Sequence, residues 1–409
     1  MTLRVTDALS FVRRWTATWW GAALFGLVFL FPVLGNVISR LTKKHGWWLN
    51  DYDALICGAQ SLAHGQSPYS LHPVCEGIRP APFVYAPQVA AFFAPFVNAT
   101  GLMGARWLYL IVLVPATLLL IWYALFKLMP KTPFVLRLMT FAAINGSAFA
   151  CGNIGIPLHA LVLAGALALP RTRLPFIAAV ILGALVKPVF LTYLIVLLYQ
   201  DKPLIDRVRA TVISAVVGLA AVAWLLYGAG PLSAQWHGIL GAIVVQQQPG
   251  IGFFSYTSLI GLPGQSTGAQ LAFVVFAGVM ALSGLVLAEW SGLEPSERIV
   301  LGLGIAQLLN PRLMDYDLMM LAPAIVLIVM LAKPLGARTF AWVSWAFFAV
   351  LVLAVVLNIA EVNAIKRAPI AVFVYCGITI FVAARTAQQH EARIRGWVKD
   401  PKTLFAKAA

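Results

Sequence analysis

Residues 83–97 read FVYAPQVAAFFAPFV, and whether they cross a membrane decides the topology of the whole chain. The run is apolar but only about fifteen residues long, and it contains Pro87 and Pro95. A span needs about twenty apolar residues, so this length suits an interfacial or re-entrant helix. The charges beyond it agree. Arg4, Arg13 and Arg14 place the N-terminus in the cytoplasm, because basic residues gather on cytoplasmic loops. Lys127, Lys131 and Arg137 follow the next apolar run, 106–128, and reach the cytoplasm only if 83–97 does not cross.

The composition supports this frame. Hydrophobic residues make up 61% of the 409 residues and charged residues 11%. Soluble chains carry about 45–50% and about 25% respectively. The expectation is an all-α, polytopic membrane protein forming one embedded domain, 1–409. The net charge of +15 then describes cytoplasmic loops, and no RNA-binding signature asks for nucleic acid as a partner. No small-residue cleavage site follows the run 20–38, which reads as a retained first span.

Working outward, 39–105 is a first outer loop carrying juxtamembrane helices, and spans follow near 106–128, 134–150 and 156–169. Residues 174–199 form one apolar run broken by Lys187-Pro188, with Arg171 and Arg173 before it and Lys202, Arg207 and Arg209 after it. That pattern predicts a hairpin of two short helices with Lys187 near the outer face. Further spans are expected near 208–227, 269–288, up to Asn310, 317–332, 339–359 and 368–384. A second outer loop covers 229–268, and a basic cytoplasmic tail covers 385–409. This makes about twelve spans with about twenty of the 29 Lys and Arg inside. No internal repeat is visible. Cys57 and Cys75 share the first outer loop and could form a disulfide there, whereas Cys151 and Cys376 read as packing residues. No Cys or His spacing suggests a zinc site.

In this topology Asp51, Asp53, Arg79, Tyr85, Asn153, Lys187, Arg312, Asp315 and Asp317 reach the outer face from four separate segments. Polar residues at membrane depth are costly and mark function. A carboxylate can act as a general base on a hydroxyl. Lysine and arginine can hold a phosphate. Together they suit group transfer from a phosphate-linked lipid donor. Plainer readings stand beside these. Asp51 could be a helix N-cap, and Asp53 a first-turn acid favoured by the helix dipole. Lys187 could snorkel, Asn153 could be a turn residue, and Arg312 could pair with Asp315 or Asp317. His159 and the other loop histidines read as packing or loop residues. Tyr256, in the aromatic stretch 253–256, is either a substrate contact or part of an interfacial belt.

Four stretches carry a family resemblance: DYDALICGAQSLAHGQSPY at 51–69; FVYAPQVAAFFAPF at 83–96; ACGNIGIPLHALVLAGALAL followed by AAVILGALVKPVFL; and LLNPRLMDYDLMMLAPA at 308–324. Taken in order, they resemble glycosyltransferase family 87, within the GT-C superfamily of polyprenyl-phosphate-sugar-dependent transferases. Ala86 and Asn153 stand where that pattern more often has proline and glutamine. The resemblance implies a GT-C fold in a bacterial cytoplasmic membrane, with the site on the extracytoplasmic side. It implies a polyprenyl-phosphate donor of a mannose-like or arabinofuranose-like sugar, and a glycolipid or glycan acceptor. It requires neither metal nor cofactor. Asp51 maps onto the catalytic base. Lys187 and Arg312 would hold the donor phosphate. Asp53, Arg79, Tyr85, Asn153, Tyr256, Asp315 and Asp317 would be substrate contacts. A secondary transporter or lipid flippase is the competing class, and a diphosphate-dependent ligase or polymerase a third.

Overall fold

A computed structural model describes residues 48–124, 150–247, 250–360 and 364–391, with a few isolated positions before 48. The expected spans 20–38 and 134–150, Trp47 and most of the basic tail lie outside the described residues. Every described element is helical, and an isolated bridge joins Cys75 to Ile78. In chain order the helices are α1 (Asn50–Ala63), α2 (Pro87–Trp122), α3 (Gly155–Ala168), α4 (Leu174–Val186), α5 (Ile195–Leu198), α6 (Leu204–Tyr227) and α7 (Ser233–Ile239). They continue with α8 (Phe253–Leu259), α9 (Thr267–Trp290), α10 (Pro295–Leu308), α11 (Leu321–Leu331), α12 (Ala337–Ile359) and α13 (Ala364–Gln389). Short 3-10 turns cover Pro188–Leu194 and Asp315–Met320, and a π-helical stretch covers Leu240–Gln247.

Among the described residues four segments are long and apolar enough to cross a membrane: Pro87–Trp122, Leu204–Tyr227, Thr267–Trp290 and Pro369–Gln389. Their faces say the same. Helix α6 turns Val212, Val216, Leu219 and Trp224 outward and buries Arg207, Ser214 and Gly218. Helix α9 exposes Leu271, Val274, Val275 and Leu282 while burying Ser283 and Gly284. Large apolar residues outside and small or polar ones inside invert the pattern of a water-soluble helix, and this is how a helix meets lipid. The chain is therefore a membrane-embedded helical protein.

The segment 83–97 is set apart from the long apolar helix that follows it. Helix α2 is interrupted at Gly101, whose φ of 66° and ψ of 169° are not helical. The stretch 87–100 is thus a separate short helix, entered through Pro87, and the long apolar helix begins only after the break. The run 174–199 also folds as read. Proline disfavours helical backbone in the residue before it, and Lys187 is extended, with φ −135° and ψ 100°. The two ends of the run return to one another, since Arg173 Nε donates to Gln200 Oε1 at 2.8 Å. Helix α1 lies along α2, and the disulfide Cys57–Cys75 ties it to the loop that follows.

Candidate functional site

The site begins with a strained turn. Leu49 is the one non-glycine residue with positive φ (60°) among the described residues, and left-handed backbone costs a leucine roughly 1–2 kcal/mol. It is held there by what it touches. Its N–H donates to the Ala150 carbonyl at 2.7 Å, and its carbonyl accepts from Asp53 N–H at 2.7 Å. Gly152, with φ 63°, packs so closely that a Cβ would lie 2.4 Å from Leu49 Cδ2. Tyr109 donates its hydroxyl to the Gly152 carbonyl at 2.9 Å and stacks on Tyr52 at 3.8 Å. The turn before α1 and the turn before α3 are therefore clamped together. Asp51 sits just beyond one, and Asn153 just beyond the other.

Both side chains enter a cavity of about 300 Å³. Its polar wall is Asn50, Asp51, Tyr85, Asn153, Lys187, Asn310, Arg312 and Asp317. Lys187 Nζ donates to Asn153 Oδ1 at 2.6 Å, and Gly155 N–H donates to the same oxygen at 2.8 Å. Two donors on that oxygen fix which way the amide faces. Its Nδ2 must point the other way, and it donates to Asp51 Oδ2 at 2.7 Å. Asn50 Nδ2 reaches Asp51 Oδ1 at 3.2 Å. Both carboxylate oxygens are oriented, and each retains a further lone pair. A Cβ on Gly155 would stand 2.9 Å from Asn153 Oδ1, 3.0 Å from Lys187 Nζ and 3.5 Å from Asp317 Oδ1. Only glycine leaves room for these three groups to meet.

The remaining walls are set by backbone stitching. Asn310 Oδ1 accepts the Arg312 N–H at 3.1 Å, closing a tight turn around Pro311. Ile251 N–H and Phe254 N–H donate to the Leu313 and Pro311 carbonyls at 2.6 and 3.2 Å, so the segment 251–254 holds this turn in place. Leu240 and Ile243 of the π-helical stretch complete the apolar side of the cavity. The Tyr85 phenol is pushed above its usual range by burial and by the charge of Asp51. It faces the cavity as a neutral hydroxyl.

The expected site residues divide. Asp51, Tyr85, Asn153, Lys187, Arg312 and Asp317 come together around the cavity. Asp53 does not. It is buried behind the site, 3.0 Å from Arg106 Nε, and its carboxyl is pushed up to about 6 by burial, against the lowering effect of Arg106 and of the Arg79 backbone. Arg106 also donates to the Trp48 carbonyl at 2.9 Å and lies 4.3 Å over the Trp48 ring. Asp53 is thus a tie between α1 and α2, not a substrate contact. Arg79 is exposed on the loop between α1 and α2 and does not line the cavity. Tyr256 donates to the Pro369 carbonyl and packs on Phe373, joining α8 to α13 away from the cavity. Asp315 opens the 3-10 turn, and its side chain lies outside the described residues. Asp51 makes no capping bond to its own helix, whose first position follows Leu49. The N-cap reading of Asp51 does not hold.

Sequence reasoning passed over Asn50, Asn310 and His159. His159 is no packing residue. Its Nε2 lies 2.9 Å from Asp317 Oδ1 and its Nδ1 lies 2.8 Å from the Tyr193 hydroxyl. A histidine one turn after Gly155, on an otherwise apolar helix, was the available signal. Among the described residues no three His, Cys, Asp or Glu side chains gather as a metal site would require. Comparisons with protein-family models, with curated proteins and with solved structures return no match.

Proposed function

We propose that this chain is a membrane glycosyltransferase of the GT-C type, with about twelve spans in a bacterial cytoplasmic membrane. It moves one sugar from a polyprenyl-phosphate donor to a hydroxyl of a glycolipid or glycan on the extracytoplasmic side. One observation carries the reading: the Asp51 carboxylate is held by two amides in a cavity that Lys187 and Arg312 also line. The disulfide Cys57–Cys75 in the loop bearing Asp51 supports an oxidising, outward location for that loop.

The step is a single displacement with inversion. The acceptor oxygen forms a bond to the anomeric carbon as the bond from that carbon to the phosphate oxygen breaks. Asp51 takes the hydroxyl proton. The electron pair leaves with the polyprenyl phosphate, which gains one negative charge, and Lys187 and Arg312 stabilise that charge. Asn153 couples the two halves, because one amide touches both the base and the cation. The test is in vitro transfer by the purified protein from a panel of polyprenyl-phosphate sugars. A glycosidic product from one of them supports the reading. Solute uptake into proteoliposomes, with no product from any donor, would instead support a transporter.

A further inference from the structure

A buried chain of polar side chains runs away from the cavity and has no part in the step above. Gln307 Nε2 donates to the Tyr193 hydroxyl, which lies 2.8 Å from His159 Nδ1, and His159 Nε2 lies 2.9 Å from Asp317 Oδ1. His159, Gln307 and Asp317 are each at most 5% exposed, as is Tyr193. The ring of Phe190 stacks on His159 at 4.8 Å and closes its face.

The protons in this chain point one way. The Gln307 amide occupies the Tyr193 oxygen as a donor, so the phenol gives its own proton to His159 Nδ1. A neutral imidazole accepting at Nδ1 carries its hydrogen at Nε2. That hydrogen lies on Asp317 Oδ1. At the other end, Asp317 Oδ2 accepts the Met314 N–H at 3.2 Å. Both carboxylate oxygens receive donors, which is the arrangement that favours the ionised form. Asp317 is also on the cavity wall, and its Oδ1 and Lys187 Nζ lie 3.5 and 3.0 Å from the point a Gly155 Cβ would occupy.

We infer that the Gln307–Tyr193–His159 chain is a positioning device that keeps Asp317 a fixed anion, and that this anion selects donors bearing one phosphate charge over donors bearing two. Among the described residues the charged wall consists of Lys187 and Arg312 against Asp51 and Asp317, which sum to zero. A phosphodiester-linked sugar brings one negative charge. A diphosphate-linked sugar brings two, and the second meets Asp317 with no further cation among the described wall residues to offset it. In a site shielded from water, one such charge is worth about tenfold or more in affinity. The inference rests on the proposed function, because it takes the ligand to be a lipid-linked sugar phosphate.

The experiment uses the full chain in nanodiscs and measures binding of polyprenyl-phosphate mannose and polyprenyl-diphosphate mannose of equal chain length. The wild type is expected to favour the monophosphate by at least about tenfold. Asp317→Asn should tighten the diphosphate more than the monophosphate and bring the two within about threefold. Tyr193→Phe frees His159 to change tautomer and present a lone pair to Asp317, so it should shift the ratio in the same direction by a smaller factor. A loss of packing alone would weaken both ligands and leave their ratio unchanged. A wild type without preference overturns the inference, and so does an Asp317→Asn protein that keeps the wild-type ratio. If both ligands bind and the monophosphate is turned over, those two results leave the proposed function standing. Binding of neither ligand, nor of the matching arabinofuranose pair, removes the proposed function and the inference together.

Discussion

Two polar clusters occupy opposite ends of α10. At its N-terminal end, Glu289 of α9 accepts from Arg207 Nη1 at 2.6 Å and from Arg298 Nη1 at 3.3 Å. Arg207 also caps the Leu198 carbonyl at 2.9 Å, and Arg298 reaches the Leu293 and Tyr199 carbonyls. Past the C-terminal end of α10, Asn310 and Arg312 line the cavity with Asp51, Asn153, Lys187 and Asp317. The clusters carry similar residue types. The difference is what they surround. The Glu289 cluster is spent on helix ends and on its own members, and a depression of about 150 Å³ beside it includes only Arg298 of the three. The Asp51 cluster encloses twice that volume, and its groups are oriented by one another around it. Charge content alone does not distinguish a fastening from a site, whereas an enclosed space with oriented groups does.

Substitutions can break or sharpen this contrast. Asp51→Asn should lower transfer by about 10³-fold, the range for losing a general base, with the melting temperature unchanged. Full transfer by that variant would end the assignment. Lys187→Ala should cost about 10²-fold in turnover, because it removes a charge from the departing phosphate and a donor from Asn153. Gly155→Ala removes no polar group but crowds the Asn153 amide and the Lys187 ammonium, so about a tenfold loss is expected from misplacement alone. At the other end, Glu289→Gln should lower stability by about 1–3 kcal/mol by leaving a buried arginine poorly paired. Its transfer rate per folded molecule should match the wild type. A kinetic defect there would erase the distinction between the clusters.

The smallest effect concerns the two acids of α1. The Asp53 carboxyl titrates at about 6 in the folded chain against 3.8 in the reference state. Its contribution to stability is therefore fully present below 3.8 and is lost as the pH rises through about 6. Melting temperatures of wild type and Asp53→Asn, compared from pH 4 to 7, should shift in favour of the asparagine protein as the pH rises. A constant difference would mean that Arg106 compensates the buried charge in full.

Much of the helical layout was legible in the chain. Apolar runs of about the right length located α3, α6 and α9. The proline after Lys187 located the break in 174–199, because proline acts on its neighbour's backbone without help from the fold. The meeting of Asp51, Asn153, Lys187, Arg312 and Asp317 was legible as far as topology placed them on one face. The roles of Asp53 and Arg106 were not. Two residues apart on a helix is about 200° around its axis, so Asp51 and Asp53 must face apart, but nothing local shows which one meets an arginine 53 residues later. The His159 chain was hidden for the same reason. Each of its four members comes from a different turn or helix, and only packing joins them. Arg79 and Tyr256 were misplaced because position on an outer loop was taken as access to the cavity.

The left-handed Leu49 and its contact with Gly152 also bear on redesign. The segments 48–53 and 150–155 form a single cassette, although about a hundred residues separate them. Exchanging either one alone with a related chain would set a foreign side chain against the other's backbone and swing the base away from the amide that orients it. Specificity swaps on this scaffold should carry both segments together, and libraries should hold Leu49 and Gly152 constant while varying the walls around them.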